Sequence, residues 1–364
     1  MFETLFSWAF LPLGVVLGLA MAKRKTLDRP EPSTPGEPRL DMNLPPRTDT
    51  DPVELQMTLG SLFRKRGDFD RAIQLHEAVL TRPELTADEG ARARLELAQD
   101  FLRGGVMDRA EQLLQELVAA GQHLGEALEL LLDLHEQGRD WQQAMRTAAQ
   151  LQGVQGKSQA RRIAHHHCEL AENARHDGDL ATAHQRAEKA LDSDHGCARA
   201  SLLLASLAEA AQDWNAAIKA YTRAIEQDVR YLPEVLAPMQ RCHLESDNAD
   251  AYVQFLDDAE ADHPDSLAVA LAKADILAER GENAQAYLAT RLMKTPNWRG
   301  LLVWIDASMP GFDTAASLTS AYRKRLQGQP RYACSNCGLK PGVLFWQCPS
   351  CKQWATIAPA KEDL

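Results

Sequence analysis

The sequence predicts a mainly α protein in three parts: an N-terminal membrane helix, a solenoid of paired helices, and a small four-cysteine metal module at the C-terminus. Three observations carry this. An uncharged apolar run fills Thr4–Ala22. A helix–turn–helix pattern recurs through the middle of the chain at a spacing near 34 residues. Two Cys-x-x-Cys pairs stand in "CSNCGLKPGVLFWQCPSC" at 334–351.

The apolar run, "TLFSWAFLPLGVVLGLAMA", is nineteen residues long. As a helix it spans roughly 28 Å, close to a bilayer core of about 30 Å. Its only basic flank follows it, at Lys23, Arg24 and Lys25. A signal peptide carries that charge before the run, so the expectation for 1–25 is an anchor with the body of the chain on the cytoplasmic side. Within it, Gly14 and Gly18 form a GxxxG, a spacing that lets a second membrane helix approach. Residues 26–50 hold six prolines in twenty-five positions and read as a semi-extended tether.

Residues 51–329 read as the solenoid. Leu59, Gly60, Phe63, Gly67 and Ala72 align with Leu97, Ala98, Phe101, Gly105 and Ala110. In each set a glycine closes one helix and an alanine lets the next pack closely on it. Arg139/Ala144, Gly178/Ala183, Gln212/Ala217 and Gly281/Ala286 continue the pattern, with Ala251 as a weaker marker. The alanines are spaced 38, 34, 39, 34, 34 and 35 residues apart, the period of stacked helix pairs. Such an array buries its core between neighbours and offers an inner face to a peptide or protein. Inner-face positions of the first two repeats include Arg64, Lys65, Arg92, Gln99 and Arg103. They make a small basic stretch that could take an acidic segment or be an ordinary solvated face.

Several function classes fall away. The net charge is −11 with dispersed acidic residues, whereas nucleic-acid binding needs a basic face. No nucleophile elbow, phosphate-binding glycine loop or HExxH occurs, so no catalytic residue is assigned and no enzyme is expected. His165, His166 and His167 are consecutive; on a helix they point about 100° apart and cannot converge on one ion, so they read as surface and packing residues. Cys168, Cys197 and Cys242 are scattered singly, which suits a reducing compartment.

Residues 330–364 hold the metal module. Cys334, Cys337, Cys348 and Cys351 can close a tetrahedral thiolate site around one ion, for which zinc is the first choice and iron the second. So short a segment cannot build its own core, and a bound metal would order it, with Tyr332, Phe345, Trp346 and Trp354 packing around the site. The module is expected to fold back onto the array or to present a knuckle to a partner.

The middle of the chain resembles the tetratricopeptide repeat family. "YACSNCG" with "FWQCPSCKQW" resembles a rubredoxin-like zinc ribbon. The ribbon departs from rubredoxins in its shorter inter-knuckle loop and in Lys352, which stands where the family places glycine. The order of the parts, with "LGSLFRKRGDFDRAIQLHE", "HCELA" and "CPSCKQWATI", resembles the lipopolysaccharide assembly protein B family of Gram-negative bacteria; the proline-rich linker is a departure. That resemblance implies an inner-membrane adaptor facing the cytoplasm. It would help the membrane protease FtsH degrade the deacetylase LpxC and so limit lipopolysaccharide synthesis. Other inner-membrane regulators or lipopolysaccharide assembly proteins are further expected partners. The alternatives are a scaffold for envelope-synthesis enzymes and an iron-based electron carrier.

Overall fold

Fifteen α-helices run in sequence from Val53 to Ser308 among the described residues of a computed structural model, which cover 52–308, 320, 324 and 330–360. The chain divides into two units, Met1–Thr50 and Asp51–Leu364. The apolar run and its Gly14/Gly18 pair lie outside the described residues, within which no helix is long and apolar enough to cross a membrane.

The helices pair off. The first helices of successive pairs are α1 (Val53–Arg66), α3 (Ala87–Gly104), α5 (Leu124–Gln137), α7 (Ala160–His176), α9 (Ala198–Ala210), α11 (Leu232–Glu245) and α13 (Leu267–Glu279). Their partners are α2 (Phe69–Leu80), α4 (Met107–Ala119), α6 (Trp141–Gln155), α8 (Leu180–Ser193), α10 (Trp214–Gln227), α12 (Ala249–Asp262) and α14 (Ala284–Lys294). An unpaired α15 (Trp298–Ser308) follows.

One local device makes each turn. A residue with positive φ ends the first helix, and the next residue or next but one takes the N-cap position of the second. Gly67, Gly105 and Gly178 supply the left-handed turn at φ 80–83°. Arg139, Gln212 and Asp247 adopt it without being glycine, at φ 54–58°, each at a cost of about 1–2 kcal/mol. Asp68, Asp140, Asp179 and Asp213 then accept a backbone N–H three residues on, which supplies a partner for one of the free donors of the new helix.

Four residues past those caps sit Ala72, Ala144, Ala183 and Ala217; these and Ala110 are fully buried, where a larger side chain would push the two helices apart. The last two repeats depart from the expected register. The turn at Asp247 places Tyr252, not Ala251, at the packing position, where its ring is buried and its hydroxyl donates to the Leu236 carbonyl at 3.0 Å. The turn at Gly281 holds one extra residue before the cap Asn283, so Ala286 is exposed and Leu288 is the buried contact. The largest core cluster lies in the middle repeats, from Ala164 on α7 to Ile276 on α13.

The C-terminal module has two short antiparallel strands, β1 (Tyr332–Cys334) and β2 (Ile357–Pro359), paired Tyr332 to Pro359 and Cys334 to Ile357. A lone bridge joins Gln347 to Trp354. Tyr332, Cys334, Cys348 and Ile357 form its small core.

Candidate metal centre and its seat on the helical array

Two tight turns aim the four sulfurs inward. Gly338 N–H donates to the Cys334 carbonyl (3.0 Å), and Lys352 N–H donates to the Cys348 carbonyl (2.8 Å). Both turns end in positive φ, 74° at Gly338 and 59° at Lys352. The second knuckle therefore keeps the glycine-like backbone with a lysine in it. The four Sγ atoms lie within 4.8 Å of one another. Cys334 and Cys351 are 3.8 Å apart, and Cys337 and Cys348 are 3.6 Å apart.

A tetrahedron with metal–sulfur bonds of about 2.3 Å has edges of about 3.8 Å, so the donor set fits one ion. The Cys337 N–H donates to the Cys334 sulfur at 3.5 Å. Burial pushes the Cys334 thiol up, but the Thr356 hydroxyl and the backbone N–H groups of Cys337 and Asn336 outweigh it and hold it down at about 6. Among the described residues the Cys334, Cys337, Cys348 and Cys351 quartet is the group arranged to hold a metal.

The module is seated on the first-helix face of the array, and Glu136 near the end of α5 is the hub. Its Oε1 accepts from Arg162 Nε (3.0 Å) and from Trp354 Nε1 (3.1 Å), and lies 2.7 Å from His166 Nε2. Its Oε2 accepts from Gln347 Nε2 at 2.8 Å. Two partners come from the array and two from the ribbon. Burial raises the carboxyl, but His166 and Arg162 more than reverse this, holding it at about 2.

Aromatic packing surrounds the hub. Trp354 stacks on His165 (centroids 5.1 Å apart, planes 17° apart) and meets Trp141 edge-on at 6.1 Å. Trp346 packs against Tyr231 at 5.2 Å and lies under the Arg199 guanidinium at 5.5 Å. Tyr231 also donates to the Ile357 carbonyl at 3.0 Å. Glu234 on α11 accepts from Arg331 (2.8 Å) and from the Tyr332 hydroxyl (3.0 Å). The seat thus runs along α5, α7, α9 and α11.

Several expectations change. Trp346 and Trp354 pack on the array rather than enclosing the sulfurs, because their rings find the histidines and tyrosine of α7 and the 229–231 turn. Tyr332 stays in the ribbon core, and Phe345 is exposed. His165 and His166 are buried interface residues, and His167 is half-buried. Burial, then Arg199, His166 and Arg161, push His165 down to about 3, so it is neutral near pH 7.

The expected inner-face residues divide. Arg64 is a brace between α1 and α3: it donates to Asp100 (2.7 Å) and to the Glu96 carbonyl (3.0 Å), and pairs with the Glu96 carboxylate. Arg92 makes a two-pronged pair with Glu54 at 3.0 and 3.2 Å. Lys65 and Arg103 are exposed and Gln99 is half-buried.

Comparison with known proteins agrees with both parts. Residues 332–359 match a family model described as a rubredoxin metal binding domain, and 57–124 and 168–228 match the tetratricopeptide repeat. Lipopolysaccharide assembly protein B of Escherichia coli K12 is 30% identical over 323 residues, covering 86% of this chain and 83% of that protein. Its counterpart in Haemophilus influenzae Rd is 32% identical over 317 residues, covering 85% and 80%. Among solved structures, the MamA protein matches with a TM-score of 0.33 and 21% identity, over 50% of this chain and 93% of that one.

Proposed function

Because the chain belongs to the lipopolysaccharide assembly protein B family, we propose that it is a non-enzymatic inner-membrane adaptor in lipopolysaccharide assembly. In this reading it promotes degradation of the deacetylase LpxC by the membrane protease FtsH. The N-terminal apolar run tethers the array beside the protease, and the helix pairs hold the soluble client. Holding both on one membrane raises their effective concentration without new chemistry.

The observation that carries the non-enzymatic part is the seat of the four-cysteine module. Four protein sulfurs within reach of one point would fill the shell of a tetrahedral ion, leaving no position at which a substrate or water could be activated. One face of the module is bonded into the array through Glu136, Tyr231 and Glu234. Such a module acts as a clasp. A divalent ion held there would supply on the order of 10 kcal/mol toward ordering it. We assign zinc ahead of iron, since the role asked of the site is structural. The seated ribbon also covers part of the first-helix face in the middle repeats. The client surface is therefore assigned to the flanking repeats, where Lys65 and Arg103 stand exposed.

The test is the half-life of the deacetylase in cells with and without this gene. The adaptor reading expects a longer half-life on deletion; an unchanged half-life would leave a scaffold with another client.

A further inference from the structure

We propose that the cavity between the α7–α9 face and the ribbon is a binding site for a phosphoryl group. The cavity measures about 130 Å³ and is closed on the ribbon side by Trp346 and Ala355. At about 30 Å³ per water, the cavity itself has room for one small oxyanion with a water or two.

Its lining holds three arginines, Arg161, Arg199 and Arg230, against two carboxylates, Asp194 and Asp228. Arg199 and His165 both line it and both are buried, 4% and 2% exposed. Arg199 Nε and His165 Nδ1 have no hydrogen-bond partner. Arg199 is otherwise committed, with Nη1 donating to Glu169 at 2.8 Å and its flat face over Trp346. Buried guanidinium N–H groups are nearly always paired, and an oxyanion in the cavity would pair this one.

The charge around the cavity points the same way. Arg161 and Arg230 stand exposed at its rim. Gly196, Cys197, Ala198 and Arg199, the start of α9, form one wall. That helix start has no side-chain cap, whereas the aspartates before α2, α6, α8 and α10 cap theirs. The N–H groups of Cys197, Ala198 and Ala200 already donate to the carbonyls of Asp194, Gly196 and Cys197, so what the helix start offers an anion is its dipole. Two carboxylates oppose. Asp228 is taken up by Arg230 through contacts of 2.6–3.2 Å, and Asp194 Oδ1 accepts the Gly196 N–H at 3.0 Å. Guanidinium groups recognise phosphoryl oxygens through paired N–H donors. The exposed rim admits either free phosphate or the phosphoryl end of a larger molecule. Bound there, the group would touch both α9 and the ribbon and tighten their union.

The experiment is calorimetric titration of the full chain, in neutral detergent at fixed ionic strength, with inorganic phosphate, glycerol 3-phosphate and acetate. Saturable phosphate binding is expected, accompanied by a rise in unfolding temperature. Arg199→Gln would also strip Glu169 of its partner, so the informative variants are the exposed Arg161→Gln and Arg230→Gln, each expected to weaken binding by about tenfold. Glycerol 3-phosphate binding as tightly as phosphate identifies the end group of a larger ligand as the source. Binding of phosphate alone identifies the free ion. Absence of saturable phosphate binding, binding unchanged in both variants, or preference for acetate would each overturn the proposal.

Discussion

Replacing Glu136 with alanine should undock the ribbon while leaving the helix pairs folded. The carboxylate is 5% exposed and receives two donors from the array and two from the ribbon. Removing one member of such a buried, charged network costs about 3–5 kcal/mol, because the remaining partners stay buried without an acceptor. The acid side gives an independent estimate. The carboxyl titrates at about 2 in the folded chain against an ordinary 4.5. A depressed carboxylate contributes stability that is present above pH 4.5 and lost as pH falls from 4.5 toward 2. The difference corresponds to about 3 kcal/mol. Acid also protonates the cysteines, so the informative quantity is the difference between wild type and Glu136→Gln, which keeps an acceptor but cannot ionise. The assay is urea unfolding followed by hydrogen exchange over 330–360 for the ribbon, with far-UV circular dichroism for the helices; tryptophan emission would mix Trp346 and Trp354 with the chain's five other tryptophans. Glu136→Ala should shift the ribbon transition to lower urea by the stated amount, and Glu136→Gln should lessen the loss of stability between pH 4.5 and 2 by about 3 kcal/mol relative to wild type. A loss below about 1 kcal/mol for the alanine variant, or an unaltered pH profile for the glutamine variant, would refute the hub.

Three further outcomes follow from single positions. A methyl group at Gly60 would lie 2.6 Å from Cε1 of the buried His76 ring, so Gly60→Ala should destabilise the first repeat by about 1–2 kcal/mol by urea unfolding despite a better helix propensity; a gain would place the ring elsewhere. Lys352 is exposed at φ 59°, so Lys352→Gly should stabilise the ribbon by about 1 kcal/mol, read as a higher temperature of metal release, and a lower temperature would contradict the turn geometry. Stripping the metal with a chelator should raise hydrogen exchange throughout 330–360 and at the seat on α5 and α7, with most of the helical circular dichroism retained; collapse of the helical signal along with the ribbon would contradict separate stability of the array.

The repeat was legible because it is written locally. A turn residue, an aspartate cap and a small residue four positions on recur within a few residues, and even Arg139 and Gln212 could be placed in the turn by register alone. The register failed where that local device changed. Tyr252 replaces the small residue and brings its own hydrogen bond, and an extra residue follows Gly281. The cysteine quartet was legible for the same reason: each pair is one turn. The seat was not. Glu136 meets Gln347 and Trp354 across 211 and 218 residues, and a glutamate late in an amphipathic helix looks like a solvated one. The one local hint was the histidine run beside "CEL": the imidazoles cannot share an ion, and two of them, His165 and His166, are buried against a docked aromatic surface. The ion pairs of Arg64 and Arg92 were not legible either, since their carboxylate partners lie on the neighbouring repeat's helix.

In the proposed adaptor the ribbon must stay seated on the helical array. The most direct measurement is the half-life of the deacetylase in cells carrying Gln347→Ala with Trp354→Ala, expressed at the wild-type level. These changes remove both ribbon donors to Glu136 while leaving the four cysteines intact. The half-life is expected to lengthen toward that of the deletion. A wild-type half-life, with hydrogen exchange over 330–360 showing the ribbon undocked, would contradict a requirement for the seated ribbon.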